Sequence, residues 1–218
     1  MRFLQRYSYL FIACLLVLFL GSCKKNITER KRVFFEDAED GIADNILAIH
    51  RDGYATGRIV RPYGGSNVIG NFNNTIVTIE LDSVPPHNMI YSSFDLYVHD
   101  NWEGNRIGQY GLVDVWNIRV NGGYQLSTTF SNNKDWRQAY PEWIGSATMP
   151  ARSNASDIQL PGFCVLDTVA NGTSRYKIAF SRPHTDKKIK IELNDAIQGP
   201  ICDRSWSIDN VYVEVINN

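Results

Sequence analysis

The sequence predicts an all-β fold, an antiparallel β-sandwich. Three observations lead there: apolar residues recur at every second position, turn-forming residues separate the runs, and long helical periodicity is missing. In Thr75–Asp82, Val77, Ile79 and Leu81 share one face and Thr78 and Glu80 the other. In Ser93–Asp100, Phe94, Leu96 and Val98 oppose Asp95, Tyr97 and His99. Trp116, Ile118 and Val120 alternate with Asn117 and Arg119. Asn121-Gly122-Gly123 follows, a hairpin signal because asparagine and glycine tolerate positive φ. Ile189, Ile191 and Leu193 alternate with Lys188, Lys190 and Glu192, and Val211, Val213 and Val215 with Tyr212 and Glu214. Gly64-Gly65, Pro85-Pro86 and Gly199-Pro200 mark further turns. Asp44–His50 is the one segment that reads as a short helix. Short strands with one wet face and no intervening helices pack as antiparallel layers, not as a parallel sheet.

A different kind of segment precedes this domain. Arg2 and Arg6 stand before an unbroken apolar run from Leu10 to Leu20, and small residues follow it. That is the layout of an export signal. The run is shorter than the roughly 20 residues a membrane-spanning helix needs. Leu20-Gly21-Ser22-Cys23 resembles the lipobox of bacterial lipoproteins. The resemblance implies cleavage before Cys23 and acylation of that cysteine, giving a membrane partner through a lipid anchor. An ordinary secretory signal with a chance cysteine is the alternative. Residues 1–22 are then the signal peptide, 23–32 the lipidated cysteine and a charged tether, and 33–218 one sandwich domain. Lys24-Lys25-Asn26 lacks the aspartate that retains lipoproteins at an inner membrane, so the expected address is the outer membrane, periplasmic or surface-facing.

Charge and cysteines narrow the partners. The chain has 22 Lys and Arg against 23 Asp and Glu; with Arg2 and Arg6 in the signal, 20 bases face 23 acids. No basic field exists to attract nucleic acid. Cys14 leaves with the signal and Cys23 carries lipid, so Cys164 and Cys202 remain in an oxidising setting. A disulfide between them is expected; two buried thiols are the alternative. Without a CxxC or a Cys/His cluster, zinc is disfavoured.

The two ends of the domain carry a second resemblance. Phe34-Phe35-Glu36-Asp37-Ala38-Glu39-Asp40-Gly41 opens it and Trp206-Ser207-Ile208-Asp209-Asn210-Val211-Tyr212-Val213 closes it. Between them stand Phe94–Asn105 and Trp116–Gly122. In this order the pieces resemble the jelly-roll domains of galactose-binding-like carbohydrate modules and related adhesion domains. The resemblance implies a jelly-roll sandwich with a structural calcium between the first and last strands, held by Glu36 and Asp209. Calcium suits such a set because it takes six to eight oxygens in loose geometry. Asp100 and Glu103, in the loop Asp100–Asn105, form a second candidate oxygen cluster; an ordinary Asp/Asn/Gly turn is its alternative.

Sugar faces stack on aromatic rings while their hydroxyls need polar neighbours. Trp102, Trp136 and Trp143 fall in loop-like contexts, whereas Trp116 and Trp206 fall in strands and read as core. Asn132–Trp143 combines Trp136, Tyr140 and Trp143 with Arg137. These residues, with Trp102, are the candidate ligand site. A loop that buries its own aromatics is the competing possibility. No nucleophile elbow, HExxH, P-loop or GxGxxG is present, and His50, His87, His99 and His184 are scattered. The expectation is a non-catalytic lipoprotein domain that binds carbohydrate. A structural component docking another envelope protein is the alternative, and a polysaccharide-active enzyme a third.

Overall fold

The computed structural model describes residues 28–56, 59–108 and 111–218. The lipid site at Cys23 and the signal segment lie outside them. No helix occurs among the described residues. The strands are β1 (Glu29–Glu36), β2 (Ile46–His50), β3 (Val60–Tyr63), β4 (Ser66–Phe72), β5 (Thr75–Leu81), β6 (Met89–Asp100) and β7 (Val115–Val120). They continue with β8 (Gly123–Thr129), β9 (Arg137–Gln138), β10 (Met149–Pro150), β11 (Asp157–Leu160), β12 (Thr173–Pro183), β13 (Ile189–Asp195) and β14 (Arg204–Asn217).

Two antiparallel sheets form the jelly-roll sandwich. One runs β11-β12-β6-β14-β4-β3, with β1 also paired to β14; the other runs β2-β5-β13-β7-β8. A small β9-β10 pair lies apart. The fourteen-residue strand β14 serves two neighbours on the same side. Its first half pairs with β4 through Trp206 and Ile208, and its second half with β1 from Val211 to Asn217. The change occurs at a bulge, where the register with β6 shifts between Asp209 and Tyr212 and Asn210 takes φ 52°. Asparagine tolerates that conformation better than most residues.

Period-two alternation becomes burial. Val77, Ile79 and Leu81, Trp116, Ile118 and Val120, and Ile189, Ile191 and Leu193 face the core from one sheet. Phe94, Leu96 and Val98, Tyr176 and Ile178, and Trp206, Ile208, Val211 and Val213 face it from the other. Trp116 stands edge-on to Trp206 at 5.9 Å and to Phe130 at 6.0 Å. The expected hairpin forms between β7 and β8, with Val120 opposite Gly123 and positive φ at Asn121 and Gly122.

Three expectations are corrected. Asp44–His50 is not helical. Ile46 and Ala48 point inward and Leu47 and Ile49 outward, and Ile46–His50 pairs with β5 as β2. The tether does not run to Arg32: β1 starts at Glu29, because the second half of β14 offers Glu29–Arg32 an edge to pair with. The outer face of β6 is not wet. Tyr97 and His99 are buried beneath Tyr63 and Phe163, whose rings lie 4.9 and 5.1 Å from the His99 ring.

His99 is bracketed by the Thr173 Oγ1 and Ser207 Oγ hydroxyls, each at 2.9 Å. Burial pulls its pKa down to about 3, so the imidazole is neutral in the fold. A depressed histidine contributes stability that is present above its unfolded value near 6.5 and is lost as pH falls toward 3. Buried carboxyls with raised pKa act with the opposite sign, so the measurable quantity is a difference between proteins. His99→Gln is expected to narrow its stability gap to the wild type as pH drops from 7 to 4. The gap changes by up to about 1.4 kcal/mol per pH unit. Urea unfolding at several pH values reads it, and a gap constant with pH would refute the neutral, buried assignment.

The Asp195 carboxylate is fully buried where the two sheets meet. It accepts from Asn74 N at 2.7 Å, Thr75 N at 3.1 Å, Ile197 N at 3.1 Å and Trp206 Nε1 at 2.6 Å. Removing it strands four donors, each worth about 1–3 kcal/mol when left unsatisfied. Asp195→Ala is therefore expected to unfold the domain at moderate temperature, with Asp195→Asn less severe. A melting temperature within a degree or two of the wild type for Asp195→Ala would contradict this role.

Candidate functional site

Loops at one end of the sandwich enclose a cavity of about 670 Å3. Its walls come from residues 100–101, 103, 106–108, 132–134, 136, 152, 166, 169–171 and 203–204. The floor is set where β6 ends. Asp100 has φ 62°, and its carboxylate turns back to accept from Phe163 N at 3.2 Å, Cys164 N at 3.3 Å and Leu166 N at 3.0 Å. Gly162 packs against that carboxylate where a Cβ would collide. Asn132 bridges beneath, donating from Nδ2 to the Val98 and Asp100 carbonyls at 2.8 and 2.9 Å and accepting from Ser174 Oγ at 2.7 Å. Arg152 spends its guanidinium on carbonyls, including Asn132 O at 2.7 Å.

The Cys164–Cys202 disulfide forms, with Cα atoms 5.0 Å apart. It joins the loop carrying Leu166, Val169 and Asn171 to the segment carrying Asp203 and Arg204. Two of the segments that line the cavity are thus covalently tied.

Behind them lies a buried ion cluster. Arg204 Nη1 donates to Glu103 Oε2 and Asp114 Oδ1, both at 3.0 Å, and Nη2 donates to Asp203 Oδ2 at 2.7 Å. Burial opposes the Arg204 charge, but Asp114 and its companions hold the guanidinium above its usual range. Burial pushes the Asp114 carboxyl up, against the pull of Glu103 N and Arg204. Burial likewise raises Asp100, opposed by its three amide donors.

At the mouth, the Arg106 guanidinium lies 4.4 Å above the Trp136 indole. Lys134 stands exposed beside them, and Asn101, Asn133 and Asn171 supply further polar rim. Apolar rim comes from Ile107 and Val169. The arrangement offers a flat ring, an adjacent cation and many amides: the means to bind a polar ligand that has an apolar face.

The sequence candidates divide on this geometry. Trp136 lines the cavity. Trp102 is instead wholly buried; its Nε1 donates to Ser205 O at 2.7 Å and its ring stands edge-on to Phe130. Tyr140 packs against Phe130 and Tyr176 at 4.9 and 5.2 Å, so it is not an open platform. Arg137 is exposed and braces the loop, donating to Thr148 O at 3.2 Å. Trp143, 42% exposed, lies next to Tyr124 and away from this cavity. Sequence reading missed Arg106, Asn132, Arg152 and Arg204. The signal for Arg204 was its position two residues after Cys202, once the disulfide partner is known.

The calcium candidates do not converge. Asp100 and Glu103 line the cavity, but Asp100 is bonded by the three amides just described and Glu103 pairs with Arg204 and, at 3.7 Å, with Arg106. Glu36 accepts from Ala38 N and Ala43 N, both at 2.8 Å, closing the turn after β1. Asp209 faces Asp95 across β6 and β14 and is bonded by Asn210 N at 2.7 Å. Burial, with Asp95, Glu39 and Asp37 nearby, raises the Asp209 carboxyl to about 6. Among the described residues, no group of three or more His, Cys, Asp or Glu side chains is placed to hold a metal ion.

No family model and no curated protein matches the chain. Among solved structures it is similar to dimeric latent PorU from Porphyromonas gingivalis at 12% identity and a TM-score of 0.41, over 85% of this chain and 13% of that one. The K2 cleaved adhesin domain of Lys-gingipain matches at 14% identity and a TM-score of 0.40, over 87% and 98% of the two chains. A family 35 carbohydrate binding module from Clostridium thermocellum matches at 12% identity and a TM-score of 0.33, over 85% and 97%. The chain thus spans about an eighth of the length of PorU. At such likeness, function has to be argued from the site.

Removing Arg204 would leave Asp114 and Glu103 charged, buried and unpaired. Arg204→Met is expected to cost about 3–5 kcal/mol of stability. Adding Asp114→Asn should return part of that loss. Urea denaturation measures both, and an unchanged midpoint for Arg204→Met would sink the structural assignment of the cluster.

Proposed function

We propose that this is a non-catalytic carbohydrate-binding domain, held on a membrane by lipid at Cys23. The observation that carries the binding half is the Trp136–Arg106 pair at the mouth of the 670 Å3 cavity. A pyranose needs a ring to stack on and amide or charged groups for its hydroxyls, and this cavity offers both. Its carboxylates support binding over hydrolysis. A glycosidase needs two carboxyl groups free to act on the scissile bond. Asp100 accepts from three backbone amides, and Glu103 pairs with Arg204 at 3.0 Å and with Arg106 at 3.7 Å.

The assembly reading, docking of an envelope protein by strand addition, would have to use β1, β3 or β11, the edges of the seven-stranded sheet. It needs an open sheet edge. In the five-stranded sheet, segment 139–144 covers β8 through Ile144 N to Ser127 O at 2.8 Å, and Thr56 N to Ala48 O at 3.2 Å lies over β2. Calcium is not carried into the proposal, because Glu36 gives its two carboxylate oxygens to the Ala38 and Ala43 amides and Asp209 accepts from Asn210 N. The outer membrane is the proposed location, on the strength of the lipobox resemblance and the residues after Cys23.

The detergent-solubilised full-length protein, applied to a glycan array with calcium and with chelator, is expected to bind a defined glycan class. Trp136→Ala should abolish that signal while leaving the melting temperature unchanged. Cys23→Ser should move the protein from the membrane fraction to the soluble one. Silence on the array under both conditions would overturn the carbohydrate reading, and an unmoved Cys23→Ser protein would overturn the anchor.

A further inference from the structure

Three cavities follow one another along the segment 132–148. The first is the one at Trp136. A second, of about 320 Å3, is lined by Asn105, Val113 and residues 144–148. Asn105 is the chain neighbour of Arg106 in the first. The two are divided by one hydrogen-bonded ridge. Arg137, next to Trp136, accepts from Asn105 N at 2.7 Å and donates to Thr148 O at 3.2 Å. Gly104 makes this approach possible: it takes φ 65°, and a Cβ there would strike the Arg137 carbonyl.

A third cavity, of about 380 Å3, shares Ile144 with the second and opens on the outward face of β13, β7 and β8. Strand register builds its floor. Asn117 lies opposite Asn194 and Ser127, and Arg119 opposite Glu192 and Tyr124. Asn194 Oδ1 accepts from Asn117 Nδ2 at 3.1 Å and Arg51 Nη2 at 2.9 Å. Asn117 and Asn194 both line this cavity, and each is only 6% exposed. The Arg119 guanidinium lies 4.1 Å over the Tyr124 ring, and its buried Nε has no partner among the described residues. Tyr124 is 51% exposed. The third cavity thus repeats the chemistry of the first: an arginine on an aromatic ring, beside side-chain amides.

We infer that the protein grips an extended glycan chain along a track from Trp136 past Asn105 to Tyr124, and not a terminal sugar alone. This rests on the carbohydrate reading above. A polypeptide is a poorer occupant, because the β8 backbone beside the track is already paired with segment 139–144. What the track presents is rings and side-chain amides.

The test is calorimetric titration of the detergent-solubilised full-length protein with xylo-, cello-, manno- and galacturono-oligosaccharides, from mono- to hexasaccharide. For the class that binds, affinity should rise about tenfold or more from disaccharide to hexasaccharide. Tyr124→Ala, at an exposed position, should remove most of that gain and leave the shortest binder within about twofold. Trp136→Ala should weaken every length. A flat series, or a Tyr124→Ala protein whose length dependence is unchanged, would overturn the extended track while leaving a glycan site at Trp136 standing. Failure of every series to bind, alongside a silent array, would overturn both.

Discussion

The buried Asp195 carboxylate is the joint on which the sandwich turns. It stands at the end of β13 in one sheet, takes two amides from the turn between β4 and β5, and takes the indole of Trp206 from the start of β14 in the other. A carboxylate with four donors in a low-dielectric site is strongly directional, since misplacing any partner strands a polar group. Its carbonyl also receives Arg51 Nε at 2.8 Å, which draws the turn after β2 onto the same point. Trp206, once placed, sits 5.0 Å from Phe72 and edge-on to Trp116, and the aromatic core extends from there to Phe130. Sheet order and core packing are therefore set together.

The same joint bears on both ends of the proposed track. Arg204, two residues before Trp206, organises Glu103, Asp114 and Asp203 behind the first cavity. Asn194, the residue before Asp195, forms the floor of the third. Most acidic groups at the loop end are structural: they cap backbone amides or satisfy one guanidinium. That leaves recognition to the Trp136 ring, Lys134, the rim asparagines and Arg106, whose guanidinium also faces Glu103 at 3.7 Å. A rigid, disulfide-tied frame with a few unspent groups suits binding without catalysis, because preorganisation lowers the entropic cost of association.

Strands were legible in the sequence wherever one face is apolar and the other polar, as in β5, β7 and β13. Reading failed where a second layer changes what the outer face meets. The alternation in β6 was correct, yet Tyr97 and His99 on its polar side are buried, because Tyr63 and Phe163 arrive from distant segments. Ile46–His50 is too short for periodicity to separate helix from strand, and pairing with β5 decides it. Trp102 and Tyr140 look like loop aromatics by their neighbours, but exposure depends on what packs over them. Of the candidate site, Trp136 was visible as an aromatic among polar residues. Arg106 was not marked by any local pattern.

The chain's own order of residues determined an all-β antiparallel sandwich, the β7–β8 hairpin, the aromatic core at Trp116 and Trp206, and the pair of cysteines available to each other. These follow from local alternation, turn chemistry and composition, which act over a few residues. Tertiary structure alone decided which carboxylates are spent, which tryptophans face solvent and how three cavities line up along segment 132–148. Those outcomes depend on contacts between residues far apart in the chain, such as Glu103 with Arg204 or Asn117 with Asn194. Burial and hydrogen-bond satisfaction are properties of a packed surface, and no single segment carries them.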